Sequence, residues 1–381
     1  AMRHGCLVLL VSLHSAAAFS TPTMPTLKSI SETKAAATSA TPLSDLELDS
    51  AIESLQRAAA AGEHSLNWAA LRALLSRAAH LPHKEWSRTE AAADDLAALV
   101  GEPADAAFGD IFHRVLADGN WAEAERAATS ATGKPWVVLV TGVNGIRKTS
   151  SIYQPWFQEA LSQALAEADL PADELPTGAN SFFRQLDYMI ATVASEDFCR
   201  LYELDDVAVY AACKDAIFAR WRTLAEMLGA SLVKASRARR MNVMVETSGR
   251  DIAMFKYVDY FFPDDTYNKL VVHFTVNDLG FAERSVDTRM LGEMAAGRAA
   301  LGDGAVREII KANAGGPYGS AVLRGVQTDS DAVWESVRSG ASGVAGDWRK
   351  ARIAITARED GPWTAQAVPA DAASPADSFA F

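Results

Sequence analysis

A chain of 381 residues that is 49% hydrophobic and 22% charged has the make-up of a folded globular protein, with length for two domains and appendages. Its net charge of -12 argues against nucleic acid or an anionic membrane as the main partner, because both need a basic surface. Three cysteines (Cys6, Cys199 and Cys213) are too few for a disulfide framework, and no apolar run is long enough to span a bilayer.

Met2 reads as the start of a leader. Arg3 and His4 precede the apolar run Cys6-Leu-Val-Leu-Leu-Val-Ser-Leu13, and Ala16-Ala-Ala18 supplies the small residues of a cleavage site, so residues 1–18 read as a signal peptide. Residues 19–43 are rich in Ser and Thr, carry Lys28 and Lys34 against the single acid Glu32, and read as a disordered transit peptide. The junction Ala17-Ala18-Phe19 resembles the bipartite presequences of algae with secondary plastids, which implies delivery to the plastid. Ordinary secretion or an endomembrane location, followed by a Ser/Thr linker, is the alternative.

Residues 44–131 are Ala- and Leu-rich with helical periodicity. Leu46, Leu48, Ala51, Ile52 and Leu55 share a face, and Ser44 with Glu47 has the spacing of a capping box. Further helices are expected over 66–79, 90–100, 108–117 and 121–128, giving a small helical domain whose protein partner is unknown. The stretch Gly119-Asn-Trp-Ala-Glu-Ala-Glu-Arg-Ala127 resembles a fragment of a tetratricopeptide repeat, but no period supports it.

The chemistry concentrates in residues 132–360. Val137 to Val140 read as a strand buried on both faces, followed by a turn with Gly142, Asn144 and Gly145, then Ile146, Arg147, Lys148, Thr149 and Ser150, and a helix over 150–168. Strand, glycine-bearing loop, Lys-Thr and helix make up the P-loop pattern, in which loop N–H groups and a lysine meet phosphate oxygens and the Thr hydroxyl suits Mg²⁺. Arg147 stands where that pattern has its second glycine. A helical region is expected from 181 to about 234, and its Lys214, Arg220 and Arg222 read as a solvated face. A second buried strand, residues 241–247, ends in Glu246-Thr-Ser-Gly-Arg250. An acid there can hold Mg²⁺ or accept a proton, and Arg250 can clamp phosphate. A third strand, 270–276, leads into a helix over 281–300 bearing Arg284, Arg289 and Arg298. A last strand covers 352–356, and the tail 361–381 reads as disordered. Strands separated by long helical stretches give an α/β fold, a parallel sheet flanked by helices and preceded by the helical domain. His273 reads as a core histidine, and no His or Cys pair has metal-ligand spacing.

These motifs resemble the zeta-toxin kinases, a family of P-loop small-molecule kinases, over roughly residues 134–359. Lys148 and Thr149 match the Walker pair, Glu246 and Arg250 the strand-end acid and arginine, and Arg289 with Arg298 the lid arginines. The family's catalytic aspartate would fall on Ser181 of Ser181-Phe-Phe-Arg184, so Asp187, about one helical turn past Arg184, is the substitute base. The resemblance implies ATP and Mg²⁺ as cofactors and transfer of the γ-phosphate to a hydroxyl of a small-molecule acceptor. Zeta toxins act on a UDP-linked amino sugar; with the aspartate absent, that substrate is not carried over. The catalytic set is Lys148, Asp187, Glu246, Arg250 and Arg289. The nucleotide would meet Gly142, Asn144, Gly145, Ile146, Arg147, Lys148, Thr149, Ser150 and Arg298, and the metal Thr149 and Glu246. A second resemblance, to the signal-recognition-particle GTPases, rests on Gly142-Val-Asn-Gly145, on Glu246-Thr-Ser-Gly-Arg250 and on the preceding helices. It implies a GTP-dependent targeting switch, but Thr275-Val-Asn-Asp278 lacks the lysine of the guanine motif. A degenerate P-loop scaffold is the third reading.

Overall fold

The computed structural model describes residues 41–59, 64–165, 174–368 and 378–381, so all but the last three residues of the leader expected over 1–43 lie outside the described residues. Among the described residues six helices come first: α1 (Asp45–Ala59), α2 (Trp68–Ala78), α3 (Trp86–Val100), α4 (Ala106–Ile111), α5 (His113–Ala117) and α6 (Trp121–Ser130). The capping box forms, with the Ser44 N–H donating to Glu47 Oε2 at 2.8 Å and the Glu47 N–H to Ser44 Oγ at 3.3 Å. The single helix expected over 108–117 is two, because Phe112 leaves helical geometry at φ -105°, ψ 27°.

The sheet follows, with β1 (Trp136–Thr141), β2 (Ser181–Arg184), β3 (Asn242–Glu246), β4 (Asn268–Val276), β5 (Trp348–Thr356), β6 (Thr364–Val368) and β7 (Ser378–Ala380). Its spatial order is β2-β3-β1-β4-β5-β6-β7, parallel through β5 and antiparallel from there. The expected parallel α/β sheet is therefore present. Between the strands lie α7 (Lys148–Ser151), α8 (Trp156–Leu165), α9 (Leu186–Val193), α10 (Ser195–Tyr202), α11 (Val207–Ala238), α12 (Ala253–Phe261), α13 (Leu279–Asp303), α14 (Val306–Ala312) and α15 (Leu323–Arg338). All six residues of β1 are buried, as its β-branched run requires of a central strand. His273 is a core residue, its Nδ1 3.0 Å from Thr141 Oγ1 and its ring stacked on Trp334.

Four expectations are corrected. The helix expected over 150–168 is interrupted between α7 and α8, where Pro155 lacks an N–H and its ring would meet the carbonyl of Ser151. Ser181-Phe-Phe-Arg184 is an edge strand paired with β3 rather than a helix start. The solvated face on α11 is not one: Lys214 is fully buried, and Arg220 and Arg222 are paired with Glu47 and Glu226. The tail expected to be disordered contributes β6 and β7, and Phe379 and Phe381 pack on Trp156.

The helices before residue 131 share one apolar cluster with the sheet. Trp121 meets Phe182 of β2 edge-on at 4.9 Å, and the Phe183 N–H donates to Gly119 O. Thr223 of α11 donates to Leu81 O, which pins the α2–α3 loop onto that helix. No helix among the described residues is long and apolar enough to cross a membrane.

Candidate functional site

β1 and β3 are neighbours, with Val140 opposite Glu246, so the glycine-bearing turn after β1 and the strand-end acid emerge side by side at the carboxyl ends of the strands. The loop backbone needs its glycines. Gly142 has φ +125° and Gly145 φ +85°, and a Cβ on either would come within about 2.5 Å of the carbonyl oxygen of Phe274 or Ala282. Val143 and Ile146 point into the core, so Ile146 offers the site its backbone alone. Lys148, 3% exposed, donates to Val143 O at 2.8 Å and lies 3.2 Å from Glu246 Oε1. Thr149 Oγ1 donates to Glu246 Oε2 at 2.8 Å. Lysine, hydroxyl and carboxylate are thus assembled at one point.

Arg147 adopts the left-handed conformation, φ +60°, that the missing glycine would take freely. Its guanidinium lies 4.0 Å over the ring of Trp363 in the C-terminal segment, and Trp363 is 4% exposed. The side chain is therefore engaged with a residue outside the cleft. Arg147→Gly exchanges relief of about 1–3 kcal/mol of backbone strain for loss of a cation–π contact worth about 0.5–2 kcal/mol. Chemical denaturation is expected to find a net change between a loss of about 1 and a gain of about 2.5 kcal/mol, and, if the loop holds a nucleotide, calorimetry is expected to find its affinity within about twofold of wild type. A tenfold loss of affinity would mean that the guanidinium swings onto the phosphates.

Around this point lies a cleft of about 1050 Å³. Asn144, Gly145, Lys148, Thr149 and Ser150 line one end, and Asp187, Glu246, Arg250 and Arg289 border it as well. Asp187 sits in the first turn of α9, half-buried, and burial pushes its carboxyl up to about 6. A Cβ on Gly316 would stand 3.1 Å from Asn144 Nδ2 and 3.7 Å from Asp187 Oδ2, so this glycine lets the 313–319 loop pass between the phosphate loop and the acid. Arg250 is exposed and stacks over Tyr318 of the same loop at 4.7 Å. Arg289 of α13 donates to Gly316 O at 2.8 Å.

Arg298 is not brought to the site. It lies nine residues beyond Arg289 on α13, about 13 Å along the axis, and caps the end of α10 through Tyr202 O at 3.2 Å and Asp205 at 2.8 Å. Gly142 shapes the loop but does not border the cleft.

Sequence reasoning missed what holds Arg289. The fully buried carboxylate of Glu293 accepts from Lys214 Nζ at 2.6 Å, from Tyr210 Oη at 2.9 Å and from the Ala314 N–H at 3.2 Å, and it stands 3.4 Å from Arg289 Nε. One acid thus positions a cleft arginine, the loop beneath it and a lysine from α11. Burial lowers Lys214 to about 8, against the pull of Glu293. Lys214→Met removes the main counter-charge of a buried carboxylate and is expected to destabilise the fold by about 3–5 kcal/mol in urea titration. A cost below about 1 kcal/mol would show that Arg289 alone suffices for Glu293.

Among the described residues no cluster of three or more His, Cys, Asp or Glu could hold a metal. The Thr149 hydroxyl beside the Glu246 carboxylate is a hard-oxygen pair that fits Mg²⁺, with the remaining ligands left to water and phosphate oxygens. No family model matches this chain, and no curated protein matches it. Among solved structures it is similar to a chain from a structural study of the PezAT chromosomal toxin-antitoxin system of the human pathogen Streptococcus pneumoniae, at 11% identity and a TM-score of 0.34, over 65% of this chain and 78% of that one. A likeness of that size does not bear on activity.

Proposed function

We propose that the chain is an ATP-dependent phosphotransferase acting on a hydroxyl of a small molecule. The observation that carries this reading is the convergence of Lys148 and Thr149 on Glu246 at adjoining strand ends, with Asp187 and Arg289 bordering the same cleft. Lys148 exchanges its contact with Val143 O for the β- and γ-phosphate oxygens. Thr149 and Glu246 hold Mg²⁺, whose role when bound is to neutralise phosphate charge. Arg289, held by Glu293, covers the transferring group, and Arg250 flanks it. Asp187 accepts the acceptor's hydroxyl proton. Phosphoryl transfer asks for positioning and charge neutralisation above all, and these groups supply both.

The targeting-switch alternative needs a guanine-reading residue at the end of β4. There Asn277 Oδ1 accepts from the Ala357 N–H at 2.8 Å and Asp278 caps α13 through Gly280 N, so both side chains are committed to the fold. In a thermal-shift experiment with Mg²⁺, ATP at about 100 times its Kd is expected to raise the Tm by a few degrees, with GTP giving a smaller shift. A larger shift with GTP would favour the switch, and no shift with either would favour a scaffold.

A further inference from the structure

The cleft does not end with the groups that would hold a triphosphate. At about 1050 Å³ it reaches the upper limit of ordinary ligand sites, roughly 300–1,000 Å³. It runs on to a wall built by one loop of the helices that precede the sheet and by the long helix between β2 and β3. That wall consists of the α2–α3 loop, with His80, His83 and Lys84, and the facing side of α11, with Phe218 and Arg222.

Charge on this wall is unbalanced. The whole cleft presents eight Lys or Arg residues against three carboxylates, within a chain of net charge -12. Lys84 and Arg220 are already paired, with Asp251 and Glu47. Arg222 is different. Its partner Glu226, 1% exposed, is shared with Arg184, itself 2% exposed. One carboxylate neutralises one guanidinium, and because Arg184 is sealed in the core, the surplus charge faces the cleft through Arg222, whose side chain is 35% exposed.

The histidines add hydrogen-bonding capacity. Burial, and then the charge of Arg222, hold His83 below the usual histidine range, so it stands neutral beside the guanidinium. Nδ1 of His80, on the cleft wall, is buried without a hydrogen-bond partner, an arrangement that is costly unless a ligand completes it.

We propose that the α2–α3 loop and the Arg222 face of α11 form the acceptor subsite, and that the acceptor carries an anionic group, phosphate or carboxylate, apart from the hydroxyl it presents to Asp187. The term acceptor rests on the kinase reading; the anion site at Arg222 does not. The α2–α3 loop and α11 then complete the active cleft, and substrate selection is their function.

The test uses the full chain and inorganic phosphate, titrated by calorimetry into wild type, Lys148→Ala, Arg222→Met, Arg222→Gln and His80→Ala, with circular dichroism confirming the fold of each. Arg184 still neutralises Glu226 in both Arg222 variants, and Gln retains a hydrogen bond to it. Two phosphate sites are expected in wild type. Lys148→Ala should remove one and leave the other, and either Arg222 variant should weaken that other at least tenfold. His80→Ala should weaken it by a smaller factor. A single phosphate site, lost in Lys148→Ala and unaffected by Arg222→Gln, would overturn the subsite. Glucose 6-phosphate, glucuronate and glucose then separate the two anion sources. One of the two anions should bind tenfold better to wild type than to Arg222→Gln, and glucose should not bind. Glucose binding as tightly as both anions would also overturn the proposal. If ATP produces no thermal shift while Arg222-dependent phosphate binding persists, the kinase reading fails and the anion site stands.

Discussion

Lys148→Ala is expected to lower phosphoryl transfer at least 10²–10³-fold, which is the loss found when a positioned charge is removed from a water-poor site. The substitution takes away the one cation that Glu246 contacts and leaves Thr149 as its hydrogen-bond partner. Glu246 is only partly buried, so water can solvate the carboxylate that loses its lysine, and the fold should survive. Loss of activity with retained circular dichroism and a melting temperature within a few degrees of wild type is the expected pair of results. A variant that transfers phosphate at the wild-type rate would show that the loop is only a connection between β1 and α7, and the enzyme reading would go with it.

Why the sequence revealed this centre and hid its support follows from where each signal resides. The phosphate loop and Glu246 were legible because both follow apolar runs too β-branched and too short for helices, and because glycines mark the turn between Thr141 and Lys148. Ser181-Phe-Phe-Arg184 was not legible, since four residues cannot display a period and the helix after it extended the wrong reading backwards. Lys214 misled for another reason. A charge on an amphipathic helix reads as exposed, and only its acid, 79 residues later, makes burial affordable. Glu293 in turn looked like one more polar residue on a helix noted for its arginines. Arg298 was grouped with Arg289 by the resemblance to a lid helix with two arginines, and nine residues of helical rise and rotation separate them. The C-terminal strands hid in an Ala/Pro/Ser composition that marks disorder elsewhere. Trp363, Phe379 and Phe381 were the residues able to anchor them, and those aromatics now pack among themselves and on Trp156. The helices before the sheet read as a separate domain because low-complexity Ala-rich helices carry no record of what they pack on. Trp121 against Phe182 and Thr223 against Leu81 supply that record only in three dimensions.

Asp187 provides the second large effect, and it has opposite signs in activity and stability. Burial raises its carboxyl from 3.8 to about 6, where the basic form still predominates at neutral pH but accepts a proton readily. If Asp187 takes the acceptor's proton, kcat/KM should fall about tenfold per pH unit below that value. Asp187→Asn should lower kcat about 10²–10⁴-fold at pH 7.5 and abolish the acid limb of the profile. Stability should move the other way. Between about pH 4 and pH 6 the folded state binds a proton that the unfolded state has released, so the raised carboxyl makes folding less favourable as pH rises through that window, and the deficit persists above it. A neutral side chain of the same shape escapes this: the full shift is worth about 3 kcal/mol, partial exposure to the cleft screens it, and Asp187→Asn is expected to be more stable than wild type at pH 7.5 by about 1–2 kcal/mol in urea titration. The gain should vanish near pH 4, where both side chains are neutral in the folded state. An inactive variant that is also less stable at pH 7.5 would make Asp187 a structural residue, and an active one would pass the role of base to another group in the cleft.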